Sequence, residues 1–363
     1  MDHERALRTL GLSRDASHDE IHEAFHDLLK VWDPERFPDD PRLQKKAREN
    51  RGELSAAYEA LANTHANATS GGGHSPSMRE GLTAGQMPRP RTDGYPGGAS
   101  VIHGIRMILI PGGSFLMGDH TGVLEKDCRP VHTVKVSEFE LGKYEVTNTQ
   151  YCAYLNKALA TGDITTSNYR MVGARGPFKG KAYSALVKPR SSGITFDGRS
   201  FSVGPNCANW PVVWVTWYGA KAFALHYGLD LPTEAEWEYA CRGGRQLEYG
   251  TDDSTINNKK ANYISDVGPK DVGSYPKNPF GIHDMSGNVW EWCHDWYSSD
   301  YYRVSPTQDP SGPDTGSHRV VRGGGWYHFD DYSRSAFRDG YSPENWYEYV
   351  GFRVVCRVFP RNY

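Results

Sequence analysis

The chain has 363 residues, a net charge of −3, 38% apolar residues and 12% aromatics. That length suffices for two domains with a sizeable core. The balanced charge gives no basic footprint for nucleic acid, and no stretch approaches the roughly 18 apolar residues of a membrane span. The opening MDHERALRTLG has no charged region followed by an apolar run, so no signal peptide is predicted and the expected compartment is the cytoplasm. Cys128, Cys152, Cys207, Cys241, Cys293 and Cys356 are scattered without CxxC spacing, which argues against a zinc site or a dense disulfide scaffold.

Residues 1–64 are rich in charge and helix formers. A short helix is expected near Glu4–Leu10. Ser17 and Glu20 form a capping box ahead of Ile21, Ala24, Phe25, Leu28 and Leu29 at helical spacing. A second long helix is predicted over Arg42–Leu61, with Leu43, Ala47, Leu54, Ala57, Tyr58 and Leu61 inward. Residues 65–100 hold eight Gly and four Pro with few large apolar side chains, the composition of a flexible linker. From Val101 the texture changes to short strand-like runs, Trp-rich motifs and Gly turns. Met107–Ile110 reads as a strand ending at Pro111-Gly112-Gly113. Thr147 can cap a helix carrying Tyr151, Tyr154 and Leu155. Thr233 and Glu236 form a second capping box, opening a helix from Glu234 to Cys241 that Gly243 and Gly244 would end. Glu234, Glu236 and Glu238 at that helix start are accounted for by the macrodipole. The expected class of the large domain, 101–363, is α+β.

Leu10-Gly11-Leu12, the His18–Lys30 helix, Trp32-Asp33-Pro34-Glu35-Arg36-Phe37 and Ala57-Tyr58-Glu59-Ala60-Leu61 together resemble a J-domain. That family stimulates an Hsp70 ATPase through a His-Pro-Asp loop. Here the loop reads Asp33-Pro34-Glu35, so the resemblance implies a degenerate, small all-α docking module with a partner of its own.

In the large domain several motifs stand in one order: Ile110-Pro111-Gly112-Gly113-Ser114-Phe115, Tyr144-Glu145-Val146-Thr147-Asn148 and Pro211-Val212-Val213-Trp214. They continue with Leu231-Pro232-Thr233-Glu234-Ala235-Glu236-Trp237, Ser286-Gly287-Asn288-Val289-Trp290-Glu291-Trp292, Arg319-Val320-Val321-Arg322-Gly323-Gly324 and Gly351-Phe352-Arg353-Val354. The ordered set resembles the formylglycine-generating-enzyme, or sulfatase-modifying-factor, family, which implies a C-type-lectin-like fold. The family's oxidases hold copper with two cysteines just past the Gly-Gly strand, because soft thiolates suit Cu(I). This chain places His328 about where the first would fall and has no cysteine from His294 to Val355. No copper and no catalytic residue are therefore expected. The resemblance also implies structural calcium, which takes hard oxygen ligands. The first site would use carbonyls of Ser286, Gly287, Asn288 and Val289 with the Glu291 carboxylate. The second would use Asn262, the Tyr263 carbonyl and Asp266.

Residues 326–349 read WYHFDDYSRSAFRDGYSPENWYEY. Nine of these 24 are aromatic, about three times the chain average, and none is Val, Ile or Leu. Core strands show aliphatic alternation. This cassette has instead the composition of a paratope, in which Tyr and Trp supply contact area and Ser, Gly, Asn and Asp supply adaptable hydrogen bonds. Tyr, His, Phe, Asp, Ser, Asn and Gly are also reachable from an asparagine codon by changing its adenines. A lectin-fold cassette of this kind resembles the variable proteins of diversity-generating retroelements. The resemblance implies a non-enzymatic protein that binds a ligand, expected to be a protein, through Tyr327, His328, Phe329, Asp330, Asp331, Tyr332, Phe337, Asp339, Tyr341, Asn345, Trp346, Tyr347 and Tyr349. Trp326, Arg334, Arg338 and Arg353 would be scaffold. A fixed binding face, a metal-dependent oxidase and a co-chaperone remain the competing expectations.

Overall fold

The computed structural model describes residues 100–357, apart from 168–169, 186–192 and 266, and a broken set of residues between 2 and 61. They fall into two compact units, one within Met1–Met87 and one within Pro88–Tyr363.

In the first unit the expected short helix runs His3–Thr9. Asp2 caps it by accepting the Arg5 N–H at 2.8 Å. Residues 41–47 are helical, and Ala47, Leu54, Ala57 and Leu61 are buried as the spacing predicts. Leu43 departs from the prediction at 39% exposure, because it lies in the first turn, ahead of that buried stripe. The Ser17–Glu20 box, the Asp33-Pro34-Glu35 loop and the 65–99 linker lie outside the described residues.

The second unit mixes helices with five small sheets. Its centre is a four-stranded sheet in the order Arg338–Tyr341, Arg319–Arg322, Trp290–Trp296 and Val350–Gly351. The first two pairings are antiparallel and the last is parallel. Register puts Arg322 opposite both Glu291 and Arg338, and Val321 opposite both Trp292 and Asp339. Side chains alternate between faces along a strand. One face therefore carries Glu291, Arg322 and Arg338, and the other carries Trp292, Val321 and Asp339.

Each face covers its own core. Trp290, Trp292, Val321, Val350 and Phe352 pack with the helices Asn148–Thr161 and Trp217–His226. Cys293 and Val320, on the opposite face, pack with the helix Glu234–Cys241 through Trp237 and Ala240. Both predicted caps form. Thr147 pairs with Gln150 and Thr233 with Glu236 in reciprocal boxes. Gly243 then ends the later helix at φ 57°. The predicted strand before Pro111 runs Ile105–Ile110, in a second sheet with Ser100–Ile102, Phe139–Gly142 and Val355–Arg357.

The three glutamates of the Glu234–Cys241 helix do more than face a dipole. Glu234 takes a two-pronged bond from Arg338, at 2.7 and 2.8 Å. Glu238 is bound by Arg242 at 2.9 Å and by Arg322. Glu236 is held by Arg357 at 2.9 and 3.0 Å. Arg242 is one helical turn from Glu238, but Arg322, Arg338 and Arg357 arrive from 84 to 121 residues away, which sequence order alone could not supply. Among the described residues no helix is long and apolar enough to cross a membrane.

Candidate ligand-binding face

The cassette leaves the central sheet through Gly323 and Gly324, at φ 97° and 72°. A Cβ on Gly324 would lie 2.7 Å from Ser333 Oγ, so conformation and space both call for glycine there. Beyond the turn, the cassette backbone is held largely by residues outside it. The Arg322 guanidinium donates to the carbonyls of Ser335 and Ala336, at 2.8 and 2.9 Å. Ser286 Oγ donates to the Ser333 carbonyl at 2.7 Å. Main-chain N–H groups of Ile264, Ser265, Trp214 and Trp290 donate to the carbonyls of His328, Trp326, Tyr347 and Tyr349. Few of these bonds use a cassette side chain, so the path of the segment is fixed by its frame.

The cassette side chains gather on the aromatic face of the sheet. Trp290, fully buried, is the floor. Around it stand His328, Phe337, Tyr332 and Tyr341, with ring centroids at 5.5, 5.9, 6.1 and 6.4 Å. The cluster continues outward through Tyr341–Tyr347 at 5.0 Å, stacked Tyr347–Tyr349 at 5.1 Å and Tyr349–Tyr327 at 4.9 Å. Such ring pairs add roughly 0.5–1.5 kcal/mol each beyond area burial. At its margin Arg170 lies over Trp346 at 4.8 Å, and Asn345 donates to the Tyr347 hydroxyl at 2.7 Å. Trp290 was not among the expected site residues. Its alternation with Glu291 in the Trp-Glu-Trp motif was the available signal.

Two of the thirteen expected binding residues are corrected. Phe329 is 3% exposed and His328 7% exposed. His328 Nδ1 accepts the Trp290 indole N–H at 3.3 Å, so both side chains support the face from below. The other eleven are half-buried or exposed. Asp331 is held by Arg334 at 2.8 Å, and Arg334 also pairs with Glu248. Burial pushes the carboxyls of Asp330 and Asp339 above their ordinary range. It also raises the Tyr332 and Tyr349 hydroxyls, the latter to about 12. Tyr332 and Tyr349 are thus neutral at pH 7.

The residues expected to hold calcium are placed differently. Both oxygens of Glu291 are taken, by Arg353 at 2.6 and 2.7 Å and by the Trp237 indole at 2.9 Å. The Asn288 carbonyl accepts the Trp326 N–H, and Ser286 Oγ bonds Gly250 and Ser333. The only carboxylate of the first set is thus paired with a guanidinium and an indole rather than turned to the loop carbonyls. In the second set, the Asn262 amide donates to the Gly268 carbonyl and Asn288 Oδ1. Asn262 and Tyr263 remain there without a described carboxylate, since Asp266 lies outside the described residues. For copper, the cassette offers one buried imidazole already bonded to Trp290. The nearby Cys241 thiol lies 3.2 Å from Ser335 Oγ and is pushed up to about 12 by burial. That set does not fit a two-thiolate Cu(I) site. Among the described residues no three His, Cys, Asp or Glu side chains converge as metal donors.

A cleft of about 390 Å³, lined by His294, Arg357 and Glu236 among others, lies apart from the aromatic cluster.

Comparison with known proteins places this geometry. Residues 96–358 match the sulfatase-modifying factor enzyme 1-like domain. The chain is 39% identical to the serine/threonine-protein kinase pkn1 of Chlamydia caviae, across 69% of this chain and 38% of that protein. It therefore spans well under half the length of that relative. It is 34% identical to the formylglycine-generating enzyme of Streptomyces coelicolor, across 74% of this chain and 95% of the relative. Among solved structures, PvdO from Pseudomonas aeruginosa superposes with a TM-score of 0.54 at 27% identity, covering 73% of this chain and all of that one. Treponema denticola variable protein 1 superposes with a TM-score of 0.52 at 23% identity, covering 72% and 98%, and shares the fold.

Proposed function

Given that the chain belongs to the sulfatase-modifying-factor family, with its C-type-lectin-like fold, we propose that its large domain is a ligand-binding module whose aromatic cassette is the variable face of a diversity-generating system. The observation that carries this reading is the division of labour within residues 326–349. Frame residues hold the backbone, Arg322, Ser286, Trp290, Trp214 and Ile264 among them, while the cassette side chains form the half-exposed face. A segment built this way can exchange Tyr for Asp, Ser or Asn with little change of path. On the same reading the protein works in the cytoplasm, where its six free cysteines stay reduced. The J-like module serves there as a docking element rather than as an Hsp70 activator.

The test is deep sequencing of the codons for Arg319–Arg353 across a population carrying the gene. Substitutions are expected at adenine-bearing codons of the half-exposed positions, with Arg322, Gly323, Gly324, Arg338 and Arg353 unchanged. An invariant cassette would remove the diversification reading and leave a fixed binding face.

A second reading, a formylglycine-type oxidase, is favoured by the match to the Streptomyces enzyme over nearly its whole length. Against it stands the absence of cysteine from His294 to Val355. Oxygen consumption with a cysteine-containing peptide, in the presence of copper or iron, discriminates the two. The binding reading expects none above background, and turnover would replace it.

A further inference from the structure

One corner of the aromatic face narrows the chemistry of the partner. Phe337, Asp339 and Tyr341 alternate along and just before the Arg338–Tyr341 strand, so the three side chains leave the same face of the sheet. Asp339 stands opposite Val321, itself a core residue of that face. Tyr332 closes the corner, with its ring 4.8 Å from Phe337. A carboxylate is thus bracketed by three aromatic rings that share Trp290 as their floor.

That carboxylate lacks a counter-charge. It accepts the Gly340 N–H at 2.7 Å and bonds the Tyr341 side chain. No ion pair reaches it among the described residues, and His318 acts on it only through space. The two arginines of the cassette are already committed, Arg334 to Asp331 and Glu248, and Arg338 to Glu234. Against those two the cassette sets five acidic residues: Asp330, Asp331, Asp339, Glu344 and Glu348. Glu344 is answered by Lys181. Asp339 and Asp330 therefore place negative charge at this corner and along its edge that neither cassette arginine offsets.

We infer that the Tyr332–Phe337–Asp339–Tyr341 corner receives a cationic side chain, Lys or Arg, of a protein ligand. The inference rests on the ligand-binding reading above and adds the charge of the partner. Aromatic faces attract a cation, and the carboxylate adds a charge-assisted hydrogen bond. A neutral ligand would desolvate Asp339 further without repayment. An acidic ligand would meet like charge at Asp330 and Asp339.

The test pans a phage-displayed library of random peptides against the full chain and measures the enriched peptides on Asp339→Asn and Tyr341→Ala. Asp339→Asn is nearly isosteric and keeps its acceptor for Gly340, and its thermal melt checks the fold. Enriched sequences are expected to carry Lys or Arg and to bind Asp339→Asn about tenfold more weakly, one charge-assisted bond being lost. Enriched peptides without a basic residue that still lose binding on Tyr341→Ala would overturn the cationic partner and leave the binding face standing. Basic peptides indifferent to both substitutions would overturn the assigned corner. No enrichment above the bare support would overturn this inference together with the binding reading.

Discussion

Arg322 and Val321 are neighbours on one strand, yet they open onto opposite chemistries. On the side of Arg322, guanidinium groups from Arg322, Arg338 and Arg353 each meet a fully enclosed carboxylate: Glu238, Glu234 and Glu291. On the side of Val321, Trp290 and Trp292 meet rings that keep one edge in water. Enclosed charges tolerate few alternatives, because removing one partner strands the other. Half-exposed rings tolerate many, since each contributes area rather than a unique bond. On the proposed reading, the exacting pairings lie on one face of the sheet, and the half-exposed rings over the other are the part that can change.

The contrast breaks most plainly on the ion side. Arg338→Ala takes the two-pronged partner from buried Glu234, leaving it Arg322 at 3.7 Å and the Tyr302 hydroxyl, and should cost about 3 kcal/mol, the lower end for breaking a buried pair, read from urea denaturation. A loss below about 1 kcal/mol, the size of an exposed pair, would mean that the ion face is not the anchor. The aromatic side should respond differently. Tyr347→Ser, at a half-exposed ring on the edge of the core, should cost about 1 kcal/mol, near the centre of the range for point substitutions. Binding of a selected peptide should fall at least about tenfold, as at an interface hot spot. If Tyr347→Ser unfolds the domain while Arg338→Ala does not, the assignment of roles to the two faces is reversed.

Much of this was legible in the sequence because the signals were local. The Thr147 and Thr233 caps, the strand before Pro111 and the boundaries of the cassette follow from short-range spacing. The absence of Val, Ile and Leu set the cassette apart in composition, but it did not exclude a strand: Arg338–Tyr341 joins the central sheet, with Arg338 buried by its pairing to Glu234. Pairings across the fold were the part that stayed hidden. Glu234, Glu236 and Glu238 read equally well as helix-start acids until Arg338, Arg357 and Arg322 arrive from the end of the chain. The family resemblance cast Glu291 as a calcium ligand, but Arg353, 62 residues later, bonds both its oxygens. His328 and Phe329 carry binding-type side chains, and only the turn at Gly323-Gly324 decides that they point inward.

The two faces should also titrate in opposite senses. Burial would raise Glu238, but Arg242 and Arg322 outweigh it and hold its carboxyl below the usual range. Its contribution to stability is therefore full above the unfolded value of about 4.3 and is lost as pH falls through the folded value. Burial raises Asp339 with no guanidinium to oppose it. Its ionised form costs stability, so that cost appears as pH rises from about 3.9 through the folded value. Asp339→Asn should accordingly gain about 0.5–1 kcal/mol at pH 7, the range of a relieved functional site, whereas Glu238→Gln should lose stability at that pH. Denaturant midpoints of both variants at pH 5 and pH 7 measure the pair. A destabilised Asp339→Asn would show that the carboxylate serves the frame and not the ligand.

The smallest effect expected is that of a chelator. A metal that binds only the native state raises stability by RT ln(1 + [L]/Kd), about 2.7 kcal/mol at a hundredfold excess over Kd. Glu291, the carboxylate expected to hold calcium, gives its oxygens to Arg353 and Trp237. Excess EDTA should move the thermal midpoint by less than about 1 °C, well under the roughly 2–4 °C per kcal/mol of a domain this size. A rise of several degrees on adding calcium would mean that Glu291 exchanges its guanidinium for the metal. The Ser286–Glu291 loop would then be ligand-set rather than ion-paired, and Arg353→Ala would cost far less with calcium present than without it.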